Sequence, residues 1–400
     1  MTSKPHLLYV SPVVPALTGN GLAMRAGMVL QALAERHQIS LLVIPLYPPH
    51  GIQIPSVIAA LCRATAVLSA NPGWPKWFSR SVRGVDFLPD ERVTQAGKAF
   101  RHVPFDVVHV FRLSMLPFAS SYLSSHRRPR RHLDLDEIES TTRMGLAALY
   151  RLHGIHSMAQ IEETEAQRSI VLEREILQHF DRVYVCSERD KDTLRASASA
   201  QVCILPNAVR IPAPLLAPGM GNPFTFLFVG TLGYFPNIDA VKYLSTDVVP
   251  LIRQSAPRDF KMIVVGAGGG GRSRQLASAP EVQIIGEVPD VGPWYRDAHA
   301  VVAPLRAGGG TRIKVLEAFS YRRPLVSTST GIEGIDARDG EHVLVGDTPE
   351  AFAVHCVRLM TETELAGMLM RNAFSLFMRA YTPEAVARAL ATCAEPAPHR

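Results

Sequence analysis

The stretch PLRAGGGTRIKVLEAFSYRRPLVST, residues 304–328, places three consecutive glycines between an apolar segment and a helical pattern. Gly308, Gly309 and Gly310 follow the strand-like AVVAPL and precede IKVLEAF, whose apolar residues recur at helical spacing. Glycine lets backbone N–H groups approach a ligand with no Cβ in the way. Because the first turn of a helix leaves N–H groups free, its N-terminus is an anion site. The stretch therefore predicts a strand–loop–helix unit that holds an anion.

The residues after the glycines strengthen this interpretation. Thr311 is predicted to cap the helix through its hydroxyl, and Arg312 and Lys314 add two cations in the first turn. Cations there are unfavourable for the helix dipole, which indicates a bound anion. Glu317 lies on the same face as Lys314, where its carboxylate can accept hydrogen bonds from ribose hydroxyls. The alternative is an amphipathic helix with a Lys–Glu surface pair and a flexible glycine loop.

Strand and helix patterns alternate on both sides of this unit, which is typical of parallel sheets in an α/β protein. Four hundred residues favour two domains. We expect two Rossmann-like domains with an interdomain cleft. The predicted divisions are residues 1–207, a Pro- and Gly-rich linker at 208–223, a second domain at 224–378, and a final helix at 379–400 that packs back on the first domain. The apolar strand candidates are HLLYVS, ISLLVIPLY, DVVHVF, RVYVCS, VCILPNAV, FTFLFVG, FKMIVVG, VQIIG, AVVAPL, PLVST and HVLVG.

The net charge of +6 is concentrated in the first domain, where residues 1–207 hold 23 Lys and Arg against 18 Asp and Glu. This excess favours an acidic partner or a membrane surface, with an ordinary basic surface as the alternative. A nucleic acid partner is not expected, because no known binding motif accompanies the charge.

The five cysteines and the apolar segments bear on the location of the protein. The cysteines form no CxxC pair, so we expect reduced thiols in the cytoplasm. The early segment HLLYVSPVVPAL suits a buried strand and turn better than a signal peptide. No apolar run approaches the ~18 residues of a membrane span. We therefore expect a cytoplasmic protein, with peripheral contact at the inner face of the membrane as a further expectation.

The stretch at residues 304–328 resembles the donor-binding signature of family four glycosyltransferases, which have the glycosyltransferase B (GT-B) fold. The resemblance continues through FLFVGTLGYFPN, MIVVGAGGGG, VQIIGEVPDVGPWYRDAHAVVAPL and LPNAV, and covers essentially all of residues 204–350. Over the first domain it rests on DVVHVF, TGNG and RVYVCSERD. It implies an enzyme that moves a sugar from a nucleoside-diphosphate sugar, with a UDP-sugar favoured, to a glycan, lipid or small-molecule acceptor. Retention, no metal and no cofactor are implied as well.

The resemblance also implies roles for individual residues. Arg312 and Lys314 would stabilise the departing diphosphate, and His109, taken to end the strand DVVHVF, would reach the donor sugar from the other domain. The donor would contact Gly230, Thr231, Gly266, Glu287, Val288, Gly309, Gly310, Thr311 and Glu317, and the acceptor or cleft loop would include Gly19, Asn20, Gly21 and Asp136.

One residue departs from the family pattern. Many members carry two glutamates eight positions apart; Glu317 matches the second, and the first falls on Gly309. The sequence therefore does not predict the identity of the donor sugar. A nucleotide-sugar epimerase on the same fold and a non-catalytic nucleotide-sugar-binding regulator are the alternative functions.

Four motifs admit other interpretations. GAGGGG at residues 266–271 with Glu287 mimics a dinucleotide fingerprint, but it does not open its domain, and Asp290 is expected only to cap the next turn. Asp134 and Asp136 form a DxD, for which capping or acceptor contact is favoured over metal binding. The third motif is a basic run, which indicates either a solvated loop or a site for acidic acceptors or lipid headgroups; it consists of Arg127, Arg128, Arg130 and Arg131. The fourth is an aromatic–basic segment, which indicates an interfacial helix, an apolar acceptor site or a packed loop; it consists of Trp74, Lys76, Trp77, Phe78, Arg80 and Arg83.

Overall fold

The computed structural model of the protein describes residues 4–45, 53–68, 91–126, 128–195, 201–212, 221–268 and 276–394. The chain divides into two compact units. The first contains Met1–Met144, Gln160–Ala208 and Pro383–Arg400, and the second contains Gly145–Ala159 and Val209–Thr382. This division differs from the boundaries drawn on the sequence, since residues 145–159 and 379–382 group with the second unit, and the predicted linker is divided after Ala208.

The first unit is built on a sheet of seven parallel strands in the order β3-β2-β1-β4-β5-β6-β7. Its central strands are apolar on both faces because helices cover both sides. Of these strands, β3 and β5 were not predicted, since CRATAV is half-exposed and RRHLD is largely polar. The strands are β1 (His6–Ser11), β2 (Gln38–Val43), β3 (Cys62–Val67), β4 (Val107–Phe111), β5 (Arg130–Asp134), β6 (Arg182–Val185) and β7 (Gln201–Ile204).

The helices of the first half of the chain follow these strands in turn. α1 begins at Gly21, the last residue of TGNG, because the Asn20 side chain accepts a hydrogen bond from the backbone N–H of Ala23 at 2.9 Å. The helices are α1 (Gly21–Ala34), α2 (Ser56–Ala59), α3 (Glu91–Ala99), α4 (Leu116–Leu123), α5 (Glu139–Leu152), α6 (His156–Leu177) and α7 (Glu188–Arg195).

The second unit has a sheet of six parallel strands in the order β10-β9-β8-β11-β12-β13. Every one of these strands was predicted from its apolar run. They are β8 (Phe224–Val229), β9 (Phe260–Val265), β10 (Val282–Gly286), β11 (Ala300–Ala303), β12 (Leu325–Ser327) and β13 (Leu344–Val345). Its helices are α8 (Phe235–Tyr243), α9 (Val249–Ser255), α10 (Gly292–Asp297), α11 (Ile313–Ser320), α12 (Pro349–Thr361) and α13 (Thr363–Ala380).

The last helix, α14 (Pro383–Ala394), belongs to the first unit. Val386 and Leu390 lie in the hydrophobic cluster that contains Leu30 of α1 and Leu41 of β2. Within the residues that the structure describes, no helix has the length and apolar character needed to cross a membrane.

Candidate functional site

The glycine loop between β11 and α11 has a more constrained backbone than the sequence suggests. Gly308 and Gly310 have φ values of 137° and 62°, in the left-handed region that favours glycine. α11 begins at Ile313 and Arg312 occupies its N-cap position with no side-chain capping bond, so the prediction that Thr311 caps the helix is wrong. The Thr311 hydroxyl is buried and has no hydrogen-bond partner. A buried polar atom of this kind is one that a ligand can satisfy.

The side chain of Arg312 binds the backbone of the glycine loop. Its guanidinium donates hydrogen bonds to the carbonyl oxygens of Gly308, at 3.0 Å, Gly309 and Gly310, and it lies 3.6 Å from Glu333. Only 7% of Arg312 is exposed. The unfavourable position of Arg312 at the helix N-terminus is thus offset by its hydrogen bonds to the loop, without a bound anion. With its carbonyls turned towards Arg312, the loop is fixed in one conformation.

Lys314 lies in the first turn of α11 and points to the loop after β8. Its amine donates a 2.7 Å hydrogen bond to the side-chain oxygen of Asn237 and lies 4.2 Å from the centre of the Phe228 ring. A Cβ atom added to Gly230 would lie 2.9 Å from this amine, so Gly230 leaves the amine its space. Burial, together with the charge of Arg312, lowers the pKa of Lys314 to about 7, although the charge of Glu317 opposes this.

Asn237 ties Lys314 to the predicted donor loop and was not singled out in the sequence. Its amide nitrogen donates to the carbonyl of Thr231 at 2.9 Å while its oxygen accepts from Lys314. A lone asparagine at the start of a helix gives little signal in a single sequence, because turns and caps use it often. The structure thus brings Gly230, Thr231 and Lys314 together.

Glu317 lies one turn beyond Lys314, as predicted, and is bound by a residue that the sequence did not reveal. Tyr295 donates its phenolic hydrogen to the Glu317 carboxylate at 2.8 Å, and its ring stacks on Tyr321 at 4.9 Å. Burial raises the pKa of Glu317 to about 7, although the hydroxyl of Tyr295 and the charge of Lys314 oppose this. Glu317 is therefore poised to accept or donate hydrogen bonds near neutral pH.

The glycines at positions 230, 266 and 268 let two loops of the second unit pack closely. A Cβ atom on Gly266 would lie 1.9 Å from the carbonyl oxygen of Gly230, and one on Gly268 would lie 2.8 Å from the nitrogen of Gly233. These contacts explain the first glycines of GAGGGG without a dinucleotide, while positions 269–271 lie outside the described residues.

The other predicted donor contacts lie in the loop after β10. Glu287 is exposed and Val288 is half-buried there. Asp290 accepts a 2.8 Å hydrogen bond from the backbone of Gly292 at the start of α10, which agrees with its expected capping role. The role of Glu287 and Val288 in donor binding stays a prediction.

His109 does not end its strand. It lies in the middle of β4, paired in register between Tyr9 of β1 and His132 of β5. The ring is fully buried and stacks on Tyr9 at 5.0 Å, and neither ring nitrogen has a partner. Burial lowers the pKa of His109 to about 3, so its imidazole is neutral. The expectation that His109 stands at the carboxyl edge of the sheet is therefore wrong.

The DxD carboxylates of the first unit bind arginines. Asp134 ends β5 and accepts from Arg25 at 2.6 Å, and Asp136 lies 3.3 Å from Arg112. Among the described residues, no group of three or more His, Cys, Asp or Glu is placed to hold a metal ion. Arg130 and Arg131, predicted to lie in a loop, are the first two residues of β5, because their strand pairs with β4 on one side and β6 on the other.

Two groups of predicted residues are thus assembled, each within its own unit. In the second unit these are Gly230, Thr231, Lys314 and Glu317 with the loop at residues 308–312. In the first unit, Gly19 has a φ of 107°, Asn20 caps α1, and Gly21 begins the helix that carries Arg25 to Asp134. Arg127 and the segment from Trp74 to Arg83 lie outside the described residues.

Comparison with known proteins finds a similarity in the second half of the chain. Residues 223–362 match the family model of glycosyl transferases group 1. An uncharacterized 44.6 kDa protein in the cps region of Klebsiella pneumoniae is 25% identical over 168 residues, which are 40% of this chain and 43% of that protein. The match thus spans less than half the length of this curated relative.

Solved structures resemble the whole chain. Sucrose-phosphate synthase from Thermosynechococcus elongatus aligns with a TM-score of 0.68 at 16% identity, over 98% of each chain. A glycosyltransferase from Rickettsia africae ESF-5 aligns at 0.64 and 14% identity, also over 98% of each. Anabaena HepE, in complex with UDP and glucose, aligns at 0.65 and 12% identity over 97% of this chain and 99% of that one. The expected two-domain GT-B fold is confirmed.

Proposed function

We propose that this protein, whose residues 223–362 match the glycosyl transferases group 1 model, transfers a sugar from a nucleoside-diphosphate sugar to an acceptor hydroxyl. The observation that carries the proposal is the amine of Lys314. It lies against Gly230 and Asn237, in the first turn of a helix that follows a rigid glycine loop. A cation whose pKa is lowered to about 7 by burial gains stabilisation when an anion arrives.

The donor would bind to the second unit through its diphosphate. The backbone at Gly309 and Gly310 and the unpartnered hydroxyl of Thr311 supply hydrogen bonds, and Lys314 supplies charge. Glu317 would accept from ribose hydroxyls, with Tyr295 fixing its carboxylate. A UDP-sugar is the favoured donor, in keeping with the UDP in the HepE structure. The acceptor would be a glycan, a lipid or a small molecule.

The central chemical task is to stabilise the diphosphate as the glycosidic bond breaks. Lys314 and the loop that Arg312 braces provide fixed positive charge and N–H groups, the kind of preorganised electrostatics that contributes most to such steps. We expect transfer with retention, by attack on the face that the leaving phosphate occupies, with that phosphate as base. We expect no metal or cofactor, because the Asp134 and Asp136 carboxylates are bound to Arg25 and Arg112. We propose that the protein is cytoplasmic and contacts the membrane peripherally.

A panel of UDP-, GDP-, ADP- and dTDP-sugars tests the proposal on the unmodified chain and on Lys314→Met. Methionine keeps the apolar contact with Phe228 but removes the charge. We expect the variant to lose at least ~10²-fold in turnover, the scale of one lost transition-state partner. Lys242→Met, which removes an exposed lysine of α8, is the matched control and should keep full activity.

Three results would contradict the proposal. Conversion of the donor sugar without an acceptor would show an epimerase. Donor binding with neither transfer nor slow hydrolysis would show a regulator. Equal turnover of Lys314→Met and Lys242→Met would remove Lys314 from the site.

A further inference from the structure

Asp239 is a buried carboxylate of α8 that has no part in the chemistry proposed above. Its side chain is 0% exposed, and both of its oxygens are bound. The guanidinium of Arg306 donates to one oxygen at 2.9 Å and also to the other. The Nε2 atom of His153 lies 2.6 Å from this second oxygen. These contacts offset the cost of burying a carboxylate away from water.

Arg306 lies at the start of the glycine loop. It stands between β11 and Gly308, and its neighbours in the chain, Leu305 and Ala307, are buried. Its guanidinium lies 4.8 Å from the centre of the Tyr243 ring, and Tyr243 is the last residue of α8. A cation over an aromatic face is attracted to it. Arg306 is thus bound to α8 both by an ion pair and by an aromatic ring.

Both ends of the glycine loop are therefore bound to α8. Asp239 binds Arg306 before the loop, and Asn237 binds Lys314 after it. Because positions two apart on a helix point in different directions, one helix can reach both ends of the loop. Asn237 also donates to the carbonyl of Thr231 in the loop after β8. α8 is thus a common support for the two loops that the donor is proposed to contact.

The stability of the second unit does not by itself explain the ion pair at Asp239. A buried ion pair is weak evidence for stability, since apolar residues of similar volume often serve as well. Apolar residues supply no direction, whereas the planar fork of an arginine binds a carboxylate in a defined geometry. The contact between Asp239 and Arg306 therefore fixes where the chain enters the glycine loop.

We propose that Asp239 is a positioning residue for glycosyl transfer, which acts through Arg306 to hold the glycine loop where the donor diphosphate binds. Asp239 itself is buried too deeply to touch the donor. Misplacement of a preorganised group by about 1 Å can cost roughly 10²-fold in rate. This inference rests on the proposed function and deepens it, since it assigns a residue that acts on the transfer step without contact to the donor.

Variants of the full chain separate the two partners of Asp239. Asp239→Asn removes the charge with little change of shape, and Arg306→Gln removes the guanidinium. His153→Leu removes only the other partner and leaves Arg306 in place. The control for a lost arginine–carboxylate pair is Glu281→Gln, because Arg253 of α9 donates to both Glu281 oxygens, at 2.6 and 2.7 Å.

We expect Asp239→Asn and Arg306→Gln each to lower kcat by roughly 10- to 100-fold. UDP affinity in calorimetry should change by less than about threefold, because Lys314 still supplies its charge. The double variant should be no slower than the slower single variant, since both changes act through one contact. His153→Leu and Glu281→Gln should keep kcat within about threefold of the unmodified chain.

Limited proteolysis reports on the loop without any substrate. Trypsin cleaves after arginine, and a cut after Arg306 requires the chain to open there. Asp239→Asn should raise the rate of this cut roughly tenfold, whereas Glu281→Gln should not. Ile252→Ala, which truncates a fully buried side chain of α9, controls for lower stability. Its Tm should fall with neither a preferential cut after Arg306 nor a loss of kcat.

The inference is overturned if Asp239→Asn keeps a normal kcat or shows no faster cut after Arg306. It is also overturned if Ile252→Ala loses as much turnover at an equal Tm, if His153→Leu is as slow as Arg306→Gln, or if the double variant is much slower than either single one. Absence of transfer by the unmodified chain with every donor would instead overturn the proposed function, and proteolysis would then still show whether Asp239 holds the loop.

Discussion

At the scale of single residues, Lys314 shows how surroundings change a common side chain. On an exposed helix it would be an ordinary cation with a pKa near 10.5. Here it lies against Phe228 and Asn237, and burial lowers its pKa to about 7. Below this pH the amine carries the charge that a diphosphate needs, and above it the amine is neutral in the free protein.

This shift predicts proton uptake when nucleotide binds. A bound diphosphate raises the pKa of Lys314, so at pH 8 UDP binding should take up close to one proton, and affinity should fall as pH rises above about 7. Calorimetry in two buffers of different ionisation enthalpy measures the uptake. Lys314→Met should abolish most of it. Uptake that is equal in Lys314→Met and in the unmodified chain would assign the proton to another group, such as Glu317.

At the scale of elements, the glycine loop depends on α11 for its conformation. Arg312 begins the helix and binds back to the carbonyls of Gly308, Gly309 and Gly310. The sequence predicted an anion-binding loop followed by a helix that Thr311 caps, with a flexible glycine loop as the alternative. The same residues instead form a rigid loop held by its own arginine, because a guanidinium can donate to several carbonyls at once.

Arg312→Ala should therefore destabilise the protein even without ligand. The loss of charged hydrogen bonds to these half-buried carbonyls is expected to cost about 2–3 kcal/mol. For a domain of this size we expect Tm to fall by roughly 5 °C or more. Arg296→Ala, which removes an exposed guanidinium from α10, is the control and should leave Tm nearly unchanged. If Tm is unchanged in Arg312→Ala while turnover is lost, Arg312 contacts the diphosphate rather than the loop.

At the scale of the whole molecule, buried histidines lower the stability of the folded protein in acid. His109 and His132 lie side by side in the first unit with rings 6.1 Å apart, and burial lowers both pKa values. A folded-state pKa below the unfolded value of 6.5 means that the unfolded chain binds more protons. The stability contribution is therefore complete above pH 6.5 and is lost as pH falls below it.

Replacing His109 by phenylalanine should make the protein less sensitive to acid. Between pH 7 and pH 5, protonation of the unfolded form of this one residue costs about 2 kcal/mol, given a folded pKa of about 3. His109→Phe should remove that loss while keeping the stacking on Tyr9, and donor turnover at pH 7 should persist. Urea unfolding at both pH values measures the difference, with the exposed His126 replaced in the same way as control. A strong loss of kcat with unchanged stability would restore the catalytic hypothesis for His109.

The sequence predicted elements better than it predicted the state of individual side chains. The bounds of β1 are those of HLLYVS, and all six strands of the second unit follow predicted apolar runs. Strand β5 was missed because RRHLD carries charges where a buried strand usually carries apolar residues. Its last three residues, His132, Leu133 and Asp134, are buried, because the strand lies between β4 and β6 inside the sheet.

By itself, the sequence determined two parallel α/β units and a glycine loop before a helix with Arg312, Lys314 and Glu317. These features depend on the periodicity of apolar residues and on the backbone freedom of glycine, both of which are local properties. Only the tertiary structure decided that Asn237 meets Lys314, that Tyr295 meets Glu317, that Arg25 binds Asp134, and that His109 is buried. Charge, pKa and hydrogen bonding depend on neighbours that are distant in sequence, and folding alone brings those neighbours together.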